Sequence, residues 1–370
     1  MIEGIIWALL GGLMLGLYAL PGKFTKHFEE ENTWGLFFMQ TMFLVPILVS
    51  ALLIQGVGDI FSDPAVQAAL PGMIIASMLW GVGVMLWGKA IHHIGLSLGF
   101  SLFIGTVILV GTLMPIIINM IENGLVAGAP ESGQFVLILS GVAIILLGIL
   151  FNGRAGILRE ADAPAEEDSK GEAKSMKAGI TIAIVGGLLA TGFNVAFTLG
   201  GGPLSNAVVA AGNPDWMVSL AVMLVVFLSG GVIMAGYFGW QITAKKRWKH
   251  FSTPSFAINF ALIFVMAFFH YAASVAYGYG ASLFALGPVV VYAIFNTTCV
   301  GVAVVSGLIT KEWTEAPSQA RKALYLGLGC MIVGVGVLAS SQYLASQPTA
   351  EVATVINAET IKRINLTSQG

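Results

Sequence analysis

The stretch WGVGVMLWGKAIHHIGLSLGFSLFIGTVILVGTLMP, residues 80–115, decides the fold. It reads as two apolar helices joined by a tight corner that carries Lys89, His92 and His93. Glycines recur along both helices. In hydrocarbon no hydrophobic force draws helices together, so glycines mark the faces where backbones pack closely. The pair is therefore predicted to lie inside a membrane bundle, where it either borders a cavity or only tightens the packing.

The composition outside this stretch is typical of a polytopic membrane protein. Of the 370 residues, 57% are hydrophobic and 10% are charged, whereas soluble domains carry about 25% charged residues. A spanning helix needs roughly 20 apolar residues, and ten segments meet this requirement. They are predicted at 2–21, 34–54, 69–90, 94–120, 134–151, 177–199, 216–240, 255–279, 283–309 and 322–345.

The basic residues divide the loops into two classes. If the ten helices alternate in direction, one side of the membrane receives 15 of the 17 Lys and Arg residues, and the other two, Lys362 and Arg363, lie in the C-terminal tail. Basic residues accumulate in cytoplasmic loops. This pattern predicts ten spans with both termini on the non-cytoplasmic side.

The longest connection divides the spans into five and five. We predict a first five-helix repeat at 1–151, a cytoplasmic linker at 152–176, a second repeat at 177–345 and a polar tail at 346–370. Because each half has an odd number of helices, the second half is inserted upside down. Such inverted-topology repeats are common in secondary carriers, which bind their substrate near the midplane.

His270, near the middle of the eighth helix, is the main candidate for chemistry. An ionisable side chain inside a bilayer is costly and is a functional candidate by default. Histidine changes charge near physiological pH and could carry a coupling proton. The alternative is a neutral histidine paired with a backbone carbonyl or with Tyr271.

Polar and aromatic side chains on the apolar helices predict a central cavity. Each could instead form an interhelical hydrogen bond worth about 0.6 kcal/mol. Amide, hydroxyl and aromatic groups with almost no fixed charge favour an uncharged, hydroxyl-rich solute such as a sugar. The predicted substrate-binding residues are Gln40, Trp80, Thr106, Asn194, His270, Tyr271, Tyr292 and Asn296, with His270 also as the proton-coupling residue.

Enzyme patterns are not found in the sequence. It contains no nucleotide-binding loop after a strand and no ATP-binding domain. Cys299 and Cys330 lie in apolar segments without a metal-binding spacing. We expect no cofactor and no metal. Uphill transport would then need an ion gradient, and coupling to protons, coupling to sodium and facilitated diffusion all stay open.

Four motifs carry a resemblance to a known family. With Trp80-Gly-Val-Gly, Gly95-Leu-Ser-Leu-Gly, Val110-Gly-Thr-Leu-Met-Pro and Lys311-Glu-Trp, the chain resembles the L-rhamnose/proton symporter family of the drug/metabolite transporter superfamily. The resemblance implies the drug/metabolite transporter fold as a 5+5 inverted repeat. It also implies a multi-pass protein of the bacterial inner membrane with periplasmic termini, and proton-coupled uptake of L-rhamnose or a related monosaccharide.

Two other functions stay open from the sequence. An exporter of metabolites or drugs on the same fold would have a more apolar cavity, and a membrane sensor would not move solute at all. The expected partners are a small sugar and the lipid bilayer, without nucleic acid, and a monomer would be sufficient for transport.

Overall fold

Thirteen α-helices make up most of the computed structural model, which describes residues 2–127, 129–161, 176–284, 286–309, 311 and 313–345. Short 3₁₀ turns follow the first and tenth helices, and these residues contain no β-strand. The helices are α1 (Ile2–Leu17), α2 (Glu30–Met39), α3 (Val45–Leu53), α4 (Val57–Ser62), α5 (Pro64–Ile94), α6 (Leu96–Asn123), α7 (Ser132–Ala161), α8 (Met176–Ala190), α9 (Gly192–Ala210), α10 (Met217–Ala244), α11 (Phe256–Ser282), α12 (Gly287–Ile309) and α13 (Ser318–Ala345).

The described residues contain ten segments long and apolar enough to cross a membrane, which confirms the predicted number of spans. The first joins α1 to its 3₁₀ turn, the second joins α2 and α3, and the sixth joins α8 and α9. Large apolar side chains such as Ile75, Leu147, Val232 and Ile332 are exposed on the outside of the bundle. This surface suits lipid and not water, so the chain is a multi-pass membrane protein.

Several helix ends differ from their predicted positions, among them that of the sixth span, which was predicted at residue 199 whereas α9 continues to Ala210. The third span starts at Pro64, because the Asp63 carboxylate accepts hydrogen bonds from the backbone N–H groups of Ala65 and Val66 at 2.8 and 3.2 Å and so caps the helix. The helix of the fifth span, α7, continues to Ala161, ten residues beyond its predicted end at residue 151. Residues 162–175 of the predicted linker and the 346–370 tail lie outside the described residues.

The corner between α5 and α6 is tighter than predicted. It consists of Gly95 alone, with φ 78° and ψ 164°. This positive φ is readily adopted only by glycine. Lys89 and His93 therefore belong to the last turns of α5 and not to a loop.

Glycines bring the backbones of α7 and α13 into contact. A Cβ atom added to Gly141 would lie 3.2 Å from the Gly334 carbonyl oxygen, and one added to Gly148 would lie 2.7 Å from that of Gly327. The pairs follow opposite orders along the two helices. The fifth and tenth spans are therefore antiparallel.

A glycine pair seats α1 against α11 and α12. A Cβ atom on Gly11 would lie 2.8 Å from the Ala273 carbonyl oxygen, and one on Gly12 would lie 2.6 Å from that of Phe295. The first span therefore packs between the eighth and the ninth.

A second glycine pair seats α8 against α5 and α6. A Cβ atom on Gly186 would lie 3.2 Å from the Gly83 carbonyl oxygen, and one on Gly187 would lie 2.8 Å from that of Phe103. Gly83 of the 80–115 stretch thus lies in a packing seam, as predicted for these glycines, whereas Gly88 has no atom within 4 Å of an added Cβ. The sixth span lies between the third and the fourth.

Candidate functional site

His270 lies near the middle of α11, in a box of aromatic rings. Its ring centroid is 5.0 Å from that of Tyr18, 5.4 Å from that of Phe37 and 5.5 Å from that of Phe227. Its Nδ1 atom is 3.1 Å from the Thr41 hydroxyl. His270 is partly exposed.

A π-helical turn places Thr41 beside this histidine. Residues Gln40–Leu44 form the turn, and the backbone N–H of Val45 bonds to the Gln40 carbonyl at its end. Pro46 has no N–H to donate and its ring crowds the preceding turn, so a wider turn at this point is expected. π-turns occur frequently at functional sites.

Trp80 also packs against Phe227. Its ring lies 5.6 Å from Phe227 and 5.2 Å from Phe193. Gly230 makes room for it, because an added Cβ would lie 2.7 Å from the indole Cε3 atom. Phe227 also packs edge-on against Tyr271 at 5.1 Å, so one phenyl ring connects three predicted site residues.

Asn194 is completely buried, and its amide connects four helices. Its Nδ2 donates to the carbonyl oxygens of Gly111 and Pro288, each at 2.8 Å, and its Oδ1 accepts from the Tyr277 hydroxyl. In a regular helix the Gly111 carbonyl would bond to the N–H of residue 115, which is proline and has none. Asn194 supplies the missing donor.

Tyr292 lies where α12 crosses α6. A Cβ atom added to Gly111 would lie 3.0 Å from two atoms of the Tyr292 ring, so the ring fits only against glycine. Tyr292 also packs 5.8 Å from Tyr277. One turn away, the Asn296 amide donates to the Tyr292 carbonyl at 2.9 Å within its own helix.

Successive ring contacts of 5.0–5.8 Å join these side chains into one aromatic cluster in the middle of the bundle. The aromatic cluster consists of Tyr18, Phe37, Trp80, Phe193, Phe227, His270, Tyr271, Tyr277 and Tyr292.

Two of the predicted residues lie away from the aromatic cluster. Gln40 lines an apolar groove of 360 Å³ on the outer surface between α2 and α11, and its Nε2 donates to the Phe260 carbonyl at 3.3 Å. The Thr106 hydroxyl donates to the Leu102 carbonyl of its own helix at 2.8 Å and packs on Gly187. The structure does not bring these two side chains to the other six.

Comparison with known proteins identifies the family. The sequence model of the L-rhamnose-proton symport protein family matches residues 1–341. The chain belongs to this family. It is 27% identical over 346 residues to proteins named L-rhamnose-proton symporter from Escherichia coli (strain K12 / DH10B), Escherichia coli O1:K1 / APEC and Shigella dysenteriae serotype 1 (strain Sd197). The match covers 89% of this chain and 94% of each relative.

Membership in the L-rhamnose-proton symport protein family confirms the predicted class, which is a transporter and not an enzyme. It also confirms the resemblance inferred from the four motifs. Within the described part of the chain, no three His, Cys, Asp or Glu side chains are grouped so that they could hold a metal ion.

Asparagine side chains tie both ends of the bundle. At one end, the Asn259 amide accepts from the Lys26 N–H at 3.0 Å and donates to the Lys26 carbonyl at 2.7 Å. At the other end, the Asn213 amide bonds in the same way to Gln55, at 2.8 and 2.9 Å. Each amide joins two segments that are distant in sequence.

Ion pairs reinforce the first of these ends. Lys245 pairs with Glu31, and Arg247 lies 3.0 Å from Glu29. The start of α2 is thereby held against the loop that follows α10. The sequence offered no spacing rule for either pair, because the partners are more than 200 residues apart.

The residues that sequence reasoning missed are mostly aromatic. Tyr18, Phe193 and Phe227 do not stand out in an apolar sequence, because aromatic side chains are also common in membrane helices that bind no ligand. Tyr277 carried a usable signal, because it follows His270 by two helical turns and lies on the same face. Thr41 had a weaker signal in Pro46, which indicates an irregular turn nearby.

Proposed function

We propose that this protein imports L-rhamnose together with protons across the bacterial inner membrane by alternating access. The observation that carries the proposal is the family match over residues 1–341, together with relatives named for L-rhamnose and proton symport. The aromatic cluster supports it, because a single ionisable imidazole sits among rings at mid-helix. H⁺ is the proposed coupling ion, with no other cofactor.

The proposed sugar site uses the faces and edges of the aromatic cluster. Sugar C–H groups pack on aromatic faces, and L-rhamnose, a deoxyhexose, carries a methyl group that suits an apolar wall. Trp80, Tyr271, Tyr292 and Asn296 are proposed to contact the sugar. Asn194 has both of its N–H groups committed to carbonyl oxygens and is assigned a structural role.

We further propose that the halves on either side of residues 162–175 are inverted repeats with the drug/metabolite transporter fold. Gly11 and Gly12 seat the first span between the eighth and ninth, and Gly186 and Gly187 seat the sixth between the third and fourth. If the second half repeats the first, span 1 corresponds to span 6, span 8 to span 3 and span 9 to span 4. The two sets of contacts are therefore equivalent under the proposed repeat. The antiparallel fifth and tenth spans support the same symmetry.

The aromatic cluster supports the same proposal. Tyr18 follows the end of α1 and packs on His270 in the eighth span, while Phe193 follows the break between α8 and α9 and packs on Trp80 in the third span. Interrupted helices near the midplane are typical of carrier binding sites. A site between these breaks would serve both orientations.

We place both termini in the periplasm, because the loop end that holds Lys26 and Lys245 carries most of the basic residues. The hydrogen bonds between Asn259 and Lys26 then lie on the cytoplasmic side, and those between Asn213 and Gln55 lie on the periplasmic side. Alternating access requires the hydrogen bonds at one end to break while those at the other end stay intact.

Reconstitution into liposomes tests the substrate and the coupling ion separately. A thermal-shift screen of monosaccharides on purified protein should single out L-rhamnose, because a ligand that prefers the folded state raises the midpoint. Uptake of labelled L-rhamnose should then rise with an inward proton gradient and not with a sodium gradient. Stabilisation by apolar metabolites alone, or accumulation driven by sodium, would contradict the proposal.

A further inference from the structure

The Thr41 hydroxyl has two polar neighbours. It lies 3.3 Å from the Ala267 carbonyl oxygen and 3.1 Å from Nδ1 of His270. A hydroxyl has one proton to donate, whereas a carbonyl oxygen can only accept. If Thr41 donates to Ala267, its oxygen can bond to His270 only by accepting a proton from Nδ1.

We propose that Thr41 is a positioning residue that holds neutral His270 with its proton on Nδ1, so that Nε2 is the atom that gains and loses the coupling proton. The inference rests on the proposed coupling role of His270. It adds the atom that reacts and the residue that selects it. In proteins the partner of one imidazole nitrogen commonly fixes the role of the other.

Nε2 meets the requirements of such an atom. Among the described residues no hydrogen bond reaches it, and it is not one of the buried polar atoms that lack a partner. It therefore keeps some accessible surface. Of the rings packed on His270, only that of Tyr18 carries an ionisable group.

The proton step involves one bond. A proton delivered by water from the periplasmic side adds to the Nε2 lone pair, which gives an imidazolium with N–H bonds at both nitrogens. Loss of the same Nε2 proton toward the cytoplasm restores the neutral ring. The Nδ1–H bond to Thr41 persists throughout, so the ring keeps its orientation in both states.

Nitrogen-15 spectroscopy of histidine tests this assignment. In protein with ¹⁵N-histidine and with His27, His92, His93 and His250 replaced by Gln, the remaining signal belongs to His270. At a pH where the ring is neutral, we expect a protonated Nδ1 and an unprotonated Nε2. A neutral ring protonated on Nε2 would overturn the proposal.

Three variants test the role of Thr41. Thr41→Val removes the acceptor and should give a mixture of tautomers with at least a severalfold loss of proton-driven accumulation, while Thr41→Ser should match the parent protein. Ser274→Ala is the matched control, because this hydroxyl bonds to the His270 carbonyl at 3.1 Å and not to the ring. An unchanged tautomer in Thr41→Val would refute the positioning role.

The test of the His270 tautomer is separate from the test of the proposed coupling function. If Nδ1 is protonated as expected but His270→Gln still accumulates L-rhamnose, the tautomer assignment is supported and the coupling role of His270 fails. If Thr41→Val does not fold, the spectrum of the parent protein and that of Thr41→Ser still decide the assignment.

Discussion

His270 is the residue on which the coupling proposal depends. Replacing it by Gln keeps a polar, hydrogen-bonding side chain but removes the titratable nitrogen. We expect His270→Gln to exchange labelled for unlabelled L-rhamnose across vesicles at a rate near the parent rate, because exchange needs no net proton movement. Accumulation driven by a pH gradient should be lost.

The two assays together separate coupling from binding. Loss of both exchange and accumulation would indicate that His270 serves sugar binding or folding, and retention of both would remove it from the mechanism. Gln134→Asn, at the start of α7 and away from the aromatic cluster, is a suitable control.

Asn194 should matter for stability through the carbonyl that Pro115 leaves without a helical partner. Asn194→Ala leaves the buried Gly111 oxygen without a donor, which costs about 1–3 kcal/mol. We expect a lower thermal midpoint in detergent. In the background of Pro115→Ala, which restores the helical N–H, the same substitution should cost less.

This double-mutant cycle isolates the pairwise contribution. Equal losses in the two backgrounds would show that Asn194 stabilises the bundle by another route. The Tyr277 hydroxyl and the Pro288 carbonyl lose their bonds to Asn194 in both backgrounds, so these losses cancel in the comparison.

The sequence allowed His270 to be predicted because an ionisable side chain in an apolar helix stands out. The sequence could not show which of the neighbouring residues Gln40 and Thr41 faces the imidazole. On a regular helix either neighbour could face inward, and the π-turn before Pro46 decides that Thr41 reaches the imidazole while Gln40 lines the outer groove. Such a turn depends on packing as well as on proline.

At the scale of helices, the glycine pairs should be less tolerant of substitution than isolated glycines. A Cβ atom on Gly12 would lie 2.5 Å from Thr298 Cβ, and one on Gly187 would lie 2.7 Å from Thr106 Cβ. Gly12→Ala and Gly187→Ala should each reduce folded yield and thermal midpoint. Gly329→Ala, with no atom within 4 Å of the added group, should not.

The three variants can be compared directly, because each substitution adds one methyl group to a membrane helix. Equal effects at the three positions would indicate that helix flexibility, and not close packing, explains the glycines. A loss at Gly12 and Gly187 of similar size is also expected from the proposed repeat symmetry.

The spans themselves were predictable because a bilayer imposes one length and one composition on every crossing helix. The breaks within them were not. The interruption at Thr191, where the hydroxyl donates to the Leu188 carbonyl at 2.7 Å, depends on local bonds and on the close contact of Gly192 with α5. Apolar length carries no information about either.

At the scale of the whole molecule, the Lys245–Glu31 pair should help to keep closed the end of the bundle that we propose to be cytoplasmic. Glu31→Lys places two positive charges together and should lower uptake, by less than about tenfold because the pair is partly solvated. Adding Lys245→Glu should restore uptake by recreating the pair in reverse.

Lys246→Glu provides the charge control, because Lys246 has no ion pair among the described residues and is exposed. It changes the net charge of the loop by the same amount as Lys245→Glu. Failure of the reversed pair to restore uptake would show that the charges at this end act independently and not as a closing contact.

The most direct measurement follows protons and sugar in the same vesicles. Proteoliposomes with a trapped pH-sensitive dye receive L-rhamnose on the outside without any imposed gradient. The account predicts acidification of the lumen that depends on L-rhamnose, scales with its uptake and disappears in His270→Gln. Uptake of L-rhamnose with no proton movement, or proton movement that persists in His270→Gln, would contradict it.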